Sequence, residues 1–175
     1  MASTILVDKI QDQGGNTIVE SNGSGVFSGS LTSKPAFQAY LSGTQTVVSG
    51  TTTKITMDTE DFDTDSCYDN SSNYRFTPTT AGKYYVYATA RGSTSASGLD
   101  LMMTAIYLNG STYIENQVDY RNNDAQLAGI TVSAIIDMNG SSDYIECYAR
   151  LLGGTEIMAS PTRSSVFGAY KLVGV

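Results

Sequence analysis

The chain has 175 residues, 41% of them apolar and only 15% charged, with a net charge of −7 and no histidine. That length supplies one domain, or one domain with an arm, and enough apolar side chain for a sizeable core. The acidic balance weighs against nucleic acid and anionic membranes, which proteins meet with lysine and arginine. The missing histidine removes Ser-His-Asp and Cys-His catalysis, the usual zinc enzymes and the commonest general base.

Residues 1–34 read as an arm. Ile5, Leu6, Val7 and Ile10 belong to one short strand, Gln13-Gly14-Gly15-Asn16 to a turn, and Ile18 and Val19 to a second strand. A glycine- and serine-rich link follows from Ser21 to Ser30. So few apolar residues cannot close a core of their own, so the arm is either without fixed structure or held by a neighbour. The docking reading is preferred, with Ile5, Leu6, Val7, Ile10, Ile18 and Val19 as its contact residues. The start carries no cationic secretion signal. No apolar run approaches the roughly 20 residues of a spanning helix, so no membrane insertion is expected.

Residues 35–175 read as strand after strand. Apolar or aromatic runs occupy 36–41, 45–48, 53–57, 74–76, 84–89, 99–108, 130–138, 144–149 and 166–172, and no window keeps a helical period. Pro78 and Gly82 punctuate the connection between Phe76 and Tyr84-Tyr85-Val86-Tyr87. Asn109-Gly110 and Asn139-Gly140 are hairpin signals, since both residue types tolerate positive φ. An all-β sandwich is expected. Several strands are apolar on both faces: Leu101, Met103, Ala105 and Tyr107 back onto Met102, Ile106 and Leu108, and Tyr84, Val86 and Ala88 onto Tyr85 and Tyr87. A sandwich buries one face per strand, so the second is expected against another subunit.

Chemistry-bearing clusters are few. Asp61, Asp63 and Asp65 have the spacing that starts a calcium loop, but Ser66 stands where glycine is needed and Ser72 where glutamate is needed. The run reads as a solvated acidic loop. Nothing sets two of Glu115, Asp119, Asp124 and Glu146 across a cleft as glycoside hydrolysis requires, and Glu146 reads as an outward strand residue. Cys67 and Cys147 read as free thiols. Tyr113, Tyr120, Arg121, Asn122 and Asn123 fall in an irregular stretch between strands and are the candidate receptor contacts, able to stack on and hydrogen-bond sugars or proteins.

Ordered along the chain, Ala36-Phe37-Gln38-Ala39-Tyr40, Phe62-Asp63, Tyr74-Arg75-Phe76-Thr77-Pro78, Ala81-Gly82-Lys83-Tyr84-Tyr85-Val86, Ile106-Tyr107-Leu108-Asn109-Gly110 and Ser164-Ser165-Val166-Phe167-Gly168-Ala169-Tyr170 resemble the C1q/tumour-necrosis-factor jelly roll. The resemblance implies a jelly-roll sandwich of two antiparallel sheets, assembled as a trimer with aromatics near the axis. On that basis Tyr84, Tyr85, Tyr87, Met102, Ile106, Phe167 and Tyr170 are expected at the subunit interface. Ile5-Leu6-Val7-Asp8-Lys9-Ile10-Gln11 and Gly15-Asn16-Thr17-Ile18 resemble the starts of bacteriophage fibre and appendage proteins. That second resemblance implies a non-enzymatic virion structural protein on the particle exterior, made in the host cytoplasm without a cofactor. It would be a homotrimeric fibre, appendage or capsid decoration. Because the chain ends in its last strand, the arm is expected to hold capsid or tail proteins, leaving the head for a host glycan or protein. A secreted C1q-like ligand-binding module is the alternative, followed by a glycan-degrading enzyme.

Overall fold

The computed structural model describes residues 8–21, 23–24, 27–28, 35–94, 98–123, 125–157 and 163–173. The chain divides into two units, Met1–Lys34 and Pro35–Val175. In the first, β1 (Lys9–Gln11), β2 (Thr17–Ser21) and β3 (Phe27–Ser28) form an antiparallel sheet. The Asp12 carboxylate pins its turn, accepting from the backbone N–H of Asn16 at 2.9 Å and from Asn16 Nδ2 at 2.9 Å. Ile10 pairs with Val19 in register. Ile10 and Ile18 remain 49% and 48% exposed. Ile5, Leu6 and Val7 lie outside the described residues.

The second unit is a sandwich of two antiparallel sheets, and no helix occurs among the described residues. One sheet contains β4 (Ala36–Tyr40), β5 (Gln45–Thr46), β7 (Thr59–Asp63), β10 (Gly82–Ser93), β13 (Leu127–Met138), β15 (Glu156–Ile157) and β16 (Val166–Lys171). The other contains β6 (Thr53–Lys54), β8 (Tyr68–Asp69), β9 (Arg75–Phe76), β11 (Leu101–Leu108), β12 (Ser111–Asp119) and β14 (Ile145–Leu152). Across the first sheet the order is β13-β10-β16-β4-β7; across the second, β12-β11-β14-β9-β8. Apart from the β11–β12 hairpin, the long strands from β9 onward switch sheets at each step. This is the all-β jelly roll that the resemblance implied.

Aromatic rings hold the two sheets together. Phe37 stacks on Tyr68 at 4.5 Å and on Phe76 at 4.6 Å, and meets the edge of Phe167 at 5.1 Å. Phe76 in turn meets Tyr84 edge-on at 5.8 Å. The two buried phenols donate inward, Tyr68 to Met57 O at 2.9 Å and Tyr84 to Thr80 O at 2.6 Å. Four residues expected at a subunit interface, Tyr84, Met102, Ile106 and Phe167, are thus corrected: each is 0% exposed in the core of its own sandwich. They occupy the inward parity of their strands, where no neighbouring subunit reaches.

β11 explains its apolar outward face within one chain. Met103 is 3% exposed and Ala105 0%. Arg150 and Gln117 flank Met103 in register and join by a 3.2 Å hydrogen bond, while Tyr148, beside Ala105, stacks on Tyr107 at 4.0 Å. Long polar side chains and paired rings cover this strand, so its double apolarity does not require a second subunit.

Asn109-Gly110 turns β11 into β12 with φ of 53° and 78°. Asn139-Gly140 is not a hairpin, because β13 and β14 lie in different sheets. The Asn139 side chain instead caps the crossover, accepting from the N–H groups of Ser141, Ser142 and Asp143. A Cβ on Gly140 would stand 2.1 Å from the backbone nitrogen of Ala81, so only glycine lets this crossover pack on the 80–81 turn. Two stretches read as loops are strands: part of the acidic run is β7, at the sheet edge, and Tyr113 lies in β12. Both carry polar residues on both faces, which erases the period-2 signal. Cys67 and Cys147 are free and buried.

Phe37→Ala should lower unfolding free energy by about 3–5 kcal/mol in denaturant titration, the cost of a cavity at the point where three other rings meet. A loss below about 1 kcal/mol would show that the cluster is not the centre of the core.

Candidate functional site

Strict alternation along β10 sends Tyr84 and Val86 inward and Tyr85 and Tyr87 outward. Register then sets Tyr85 between Tyr170 of β16 and Ile135 of β13. The rings of Tyr85 and Tyr170 lie 5.4 Å apart, and those of Tyr85 and Tyr87 6.1 Å. Ile135 is 55% exposed, Tyr170 47%, and Phe62 on β7 47%. The outward face of the seven-stranded sheet therefore carries an aromatic and aliphatic patch with open sides.

A polar line crosses this patch. A Cβ on Gly168 would stand 2.3 Å from the Tyr87 hydroxyl, so the ring lies over that glycine and reaches β4. There Tyr87 donates to Gln38 Oε1 at 2.5 Å, and Gln38 Nε2 donates to Asp61 Oδ2 at 2.6 Å. Arg163 Nε donates to Asp61 Oδ1 at 2.8 Å, and its guanidinium lies 4.8 Å above the Tyr40 ring. Burial, helped by the Asp61 charge, raises the Tyr87 phenol above its ordinary value. The Gln38 hydrogen bond, opposed by some burial and joined by Arg163, holds Asp61 below the ordinary carboxylate value.

This arrangement can bind but offers little to catalyse with: its phenol stays protonated, its one carboxylate is paired, and no nucleophile faces a base. No group of three metal-ligating residues occurs among the described residues. Asp61, Asp63 and Asp65 do not converge. Asp63 accepts from the backbone N–H of Tyr68 at 2.7 Å and of Asp65 at 3.4 Å, serving the bend after β7.

Of the expected interface residues, Tyr85, Tyr87 and Tyr170 come together on this face. The expected receptor contacts do not form one site. Arg121 is bound to Asp119 through Nε and Nη2, which holds the Asp119 carboxyl down at about 2. Tyr120 packs against the core, Tyr113 donates to Ile135 O at 3.2 Å, and Asn122 is exposed. Asp124 lies outside the described residues, and Glu115 and Glu146 sit on different strands. Sequence reasoning missed Gln38, Phe62 and Arg163 as parts of the face. Ile135 was legible as the lone apolar residue among Thr131, Ser133 and Asp137; Gln38 gave no signal.

Solved structures supply the comparison. The chain is similar to murine APRIL at pH 8.0, with 10% identity over 79% of this chain and 99% of that one and a TM-score of 0.59. The pH 5.0 structure of murine APRIL gives 10% identity, the same coverage and a TM-score of 0.60. Eiger TNF from S. frugiperda shares 14% identity over 81% of this chain and 93% of that one, with a TM-score of 0.56. The fold is TNF-like. At such identities the likeness speaks for the fold alone. No family model matches the sequence, and no curated protein matches it.

Asp61 titration follows from its partners. A carboxyl depressed on folding adds stability above its unfolded value of 3.8, and that contribution fades as pH falls through the folded value. Asp61→Asn should therefore flatten part of the stability loss below pH 3.8 in thermal melts at stepped pH. An unchanged acid limb would remove Asp61 from the network.

Proposed function

We propose that this chain is a non-enzymatic structural protein of a bacteriophage virion, a homotrimer whose jelly-roll head is displayed on the particle exterior. The carrying observation is the Tyr85–Tyr170–Ile135 patch, because a monomer gains nothing by leaving such a surface wet. Three copies closing on it would bury it in the closed symmetry usual for homo-oligomers. The resemblance of residues 5–18 to phage appendage starts supports the second half of the reading. So does the small sheet of the first unit, whose Ile10 and Ile18 are half exposed. Such strands can join a virion partner by strand addition, and three arms per trimer multiply weak contacts through effective concentration.

A secreted ligand-binding module is the second reading, with which the fold shared with murine APRIL is compatible. It predicts binding to a cell-surface protein by a head that never enters particles.

Native mass spectrometry of the full chain should give three times the chain mass. Ile135→Lys should weaken assembly at least roughly thirtyfold, by setting a charge in a desolvated contact, with the fold retained by circular dichroism. A monomeric parent chain would sink the trimer. Deleting residues 1–30 should leave a folded trimer that no longer joins virions, and a truncated chain that still incorporates would sink the arm's role.

A further inference from the structure

The opposite outward face, that of the six-stranded sheet, has a different chemistry. In a chain of net charge −7, Lys54, Arg75 and Arg150 all stand there. Register aligns Arg75 with Asp69, Glu146 and Tyr107, and Lys54 with Tyr148, Ala105 and the exposed Glu115. The Asp69 carboxylate is taken up by the backbone N–H groups of Ser71, Ser72 and Asn73. Glu146 faces outward as its position in the strand predicted, yet its side chain is only 5% exposed and lies 2.5 Å from the Lys54 amine. Glu146, together with Asn73 O at 3.2 Å, holds the Lys54 amine at one place while leaving it about a third exposed.

The rings complete the surface. Arg75 lies 4.4 Å above Tyr144 and has no carboxylate partner among the described residues. Tyr107 and Tyr148 are stacked and half-buried. Burial first, then the Glu146 charge, pushes the Tyr148 phenol up to about 12, so it remains a neutral donor. Arg75 and Tyr107 stand two strands apart, about 10 Å, a separation comparable with a disaccharide.

We propose that this face binds an acidic saccharide, a chain of uronic or similar carboxylated sugars, with Arg75 and Lys54 meeting the carboxylates and the tyrosine rings stacking on pyranose faces. It deepens the host-attachment part of the reading above and rests on that reading for its setting. Polyphosphate would meet the cations but has no apolar face for the rings. An acidic peptide would meet the cations but leave the rings without a partner, whereas the C–H faces of a sugar use both.

The test is calorimetric titration of the full chain with a galacturonic acid tetramer, a neutral glucose tetramer and an oligo-glutamate peptide. Only the first should bind, and added salt should weaken it. Arg75→Gln and Tyr107→Leu should each lower affinity about tenfold with the fold retained by circular dichroism. Ile135→Lys, on the other sheet, should bind as the parent does. Lys54→Ala is a poor probe, because it strands the Glu146 charge. No binding of the uronate, equal binding of either control, or an Arg75→Gln chain that binds normally overturns the proposal. A trimer that joins virions yet ignores the uronate overturns this site alone; a failed virion reading leaves the measurement standing.

Discussion

The ring cluster around Phe37 is the constraint on which the rest of the sandwich depends. Two sheets must stand about 10 Å apart, and rings from both fill that gap at one end: Phe37, Phe167 and Tyr84 from one sheet, Tyr68 and Phe76 from the other. Small residues sit beside large ones to make room. Phe167 is flanked in register by Ala88 and Ala39, and Ala169 by Val86 and Phe37. Such complementarity admits a single parity, since a one-residue slip would send every ring in β4, β10 or β16 to the other side. The outward positions of Tyr85, Tyr87 and Tyr170 are a consequence of where Phe37 has to be.

The two outward faces then part company. The six-stranded sheet covers its apolar strand with its own side chains: Arg150 and Gln117 across Met103, stacked tyrosines beside Ala105, and the Lys54–Glu146 pair beyond. What it shows to solvent is charge and half-buried tyrosine rings. The seven-stranded sheet does not do this. Its outward rows run Ile135–Tyr85–Tyr170 and Ser133–Tyr87–Gly168–Gln38–Phe62, with two glycine and serine positions that lower the surface around the rings. One face is finished within the chain; the other carries the exposed apolar groups that a partner could cover.

The sandwich and its inward strands were legible in the sequence because burial imposes a strict period of two, as in Ile130–Val132–Ile136–Met138. The punctuation at Pro78, Gly82 and Asn109-Gly110 was legible because backbone geometry demands it. Edge strands were not. β12 is exposed along nearly its whole length, and β7 carries three acidic residues among its five, so neither writes an apolar rhythm. Double apolarity also misled: Met102 and Met103 are both buried, but by the two sides of one chain. Sequence gives the parity of a strand. It does not say whether a polar neighbour of Arg or Gln length folds back over the second side.

The same limit hid the polar line Tyr87–Gln38–Asp61–Arg163, which joins residues separated by up to 102 positions and has no local pattern. Its physical consequence is selectivity. A patch of tyrosine and isoleucine alone would adhere to any apolar surface, including unfolded chains. Asp61 has both carboxylate oxygens engaged, and the Tyr87 hydroxyl and the Gln38 amide satisfy one another. A partner covering this face therefore needs to desolvate few unpaired groups, provided that its own polar atoms fit around a line already fixed in place. One that presses an apolar group onto Asp61 or Arg163 strips water from charges and gives nothing back. The greasy rings supply the drive to associate, and the fixed polar line decides which surfaces can.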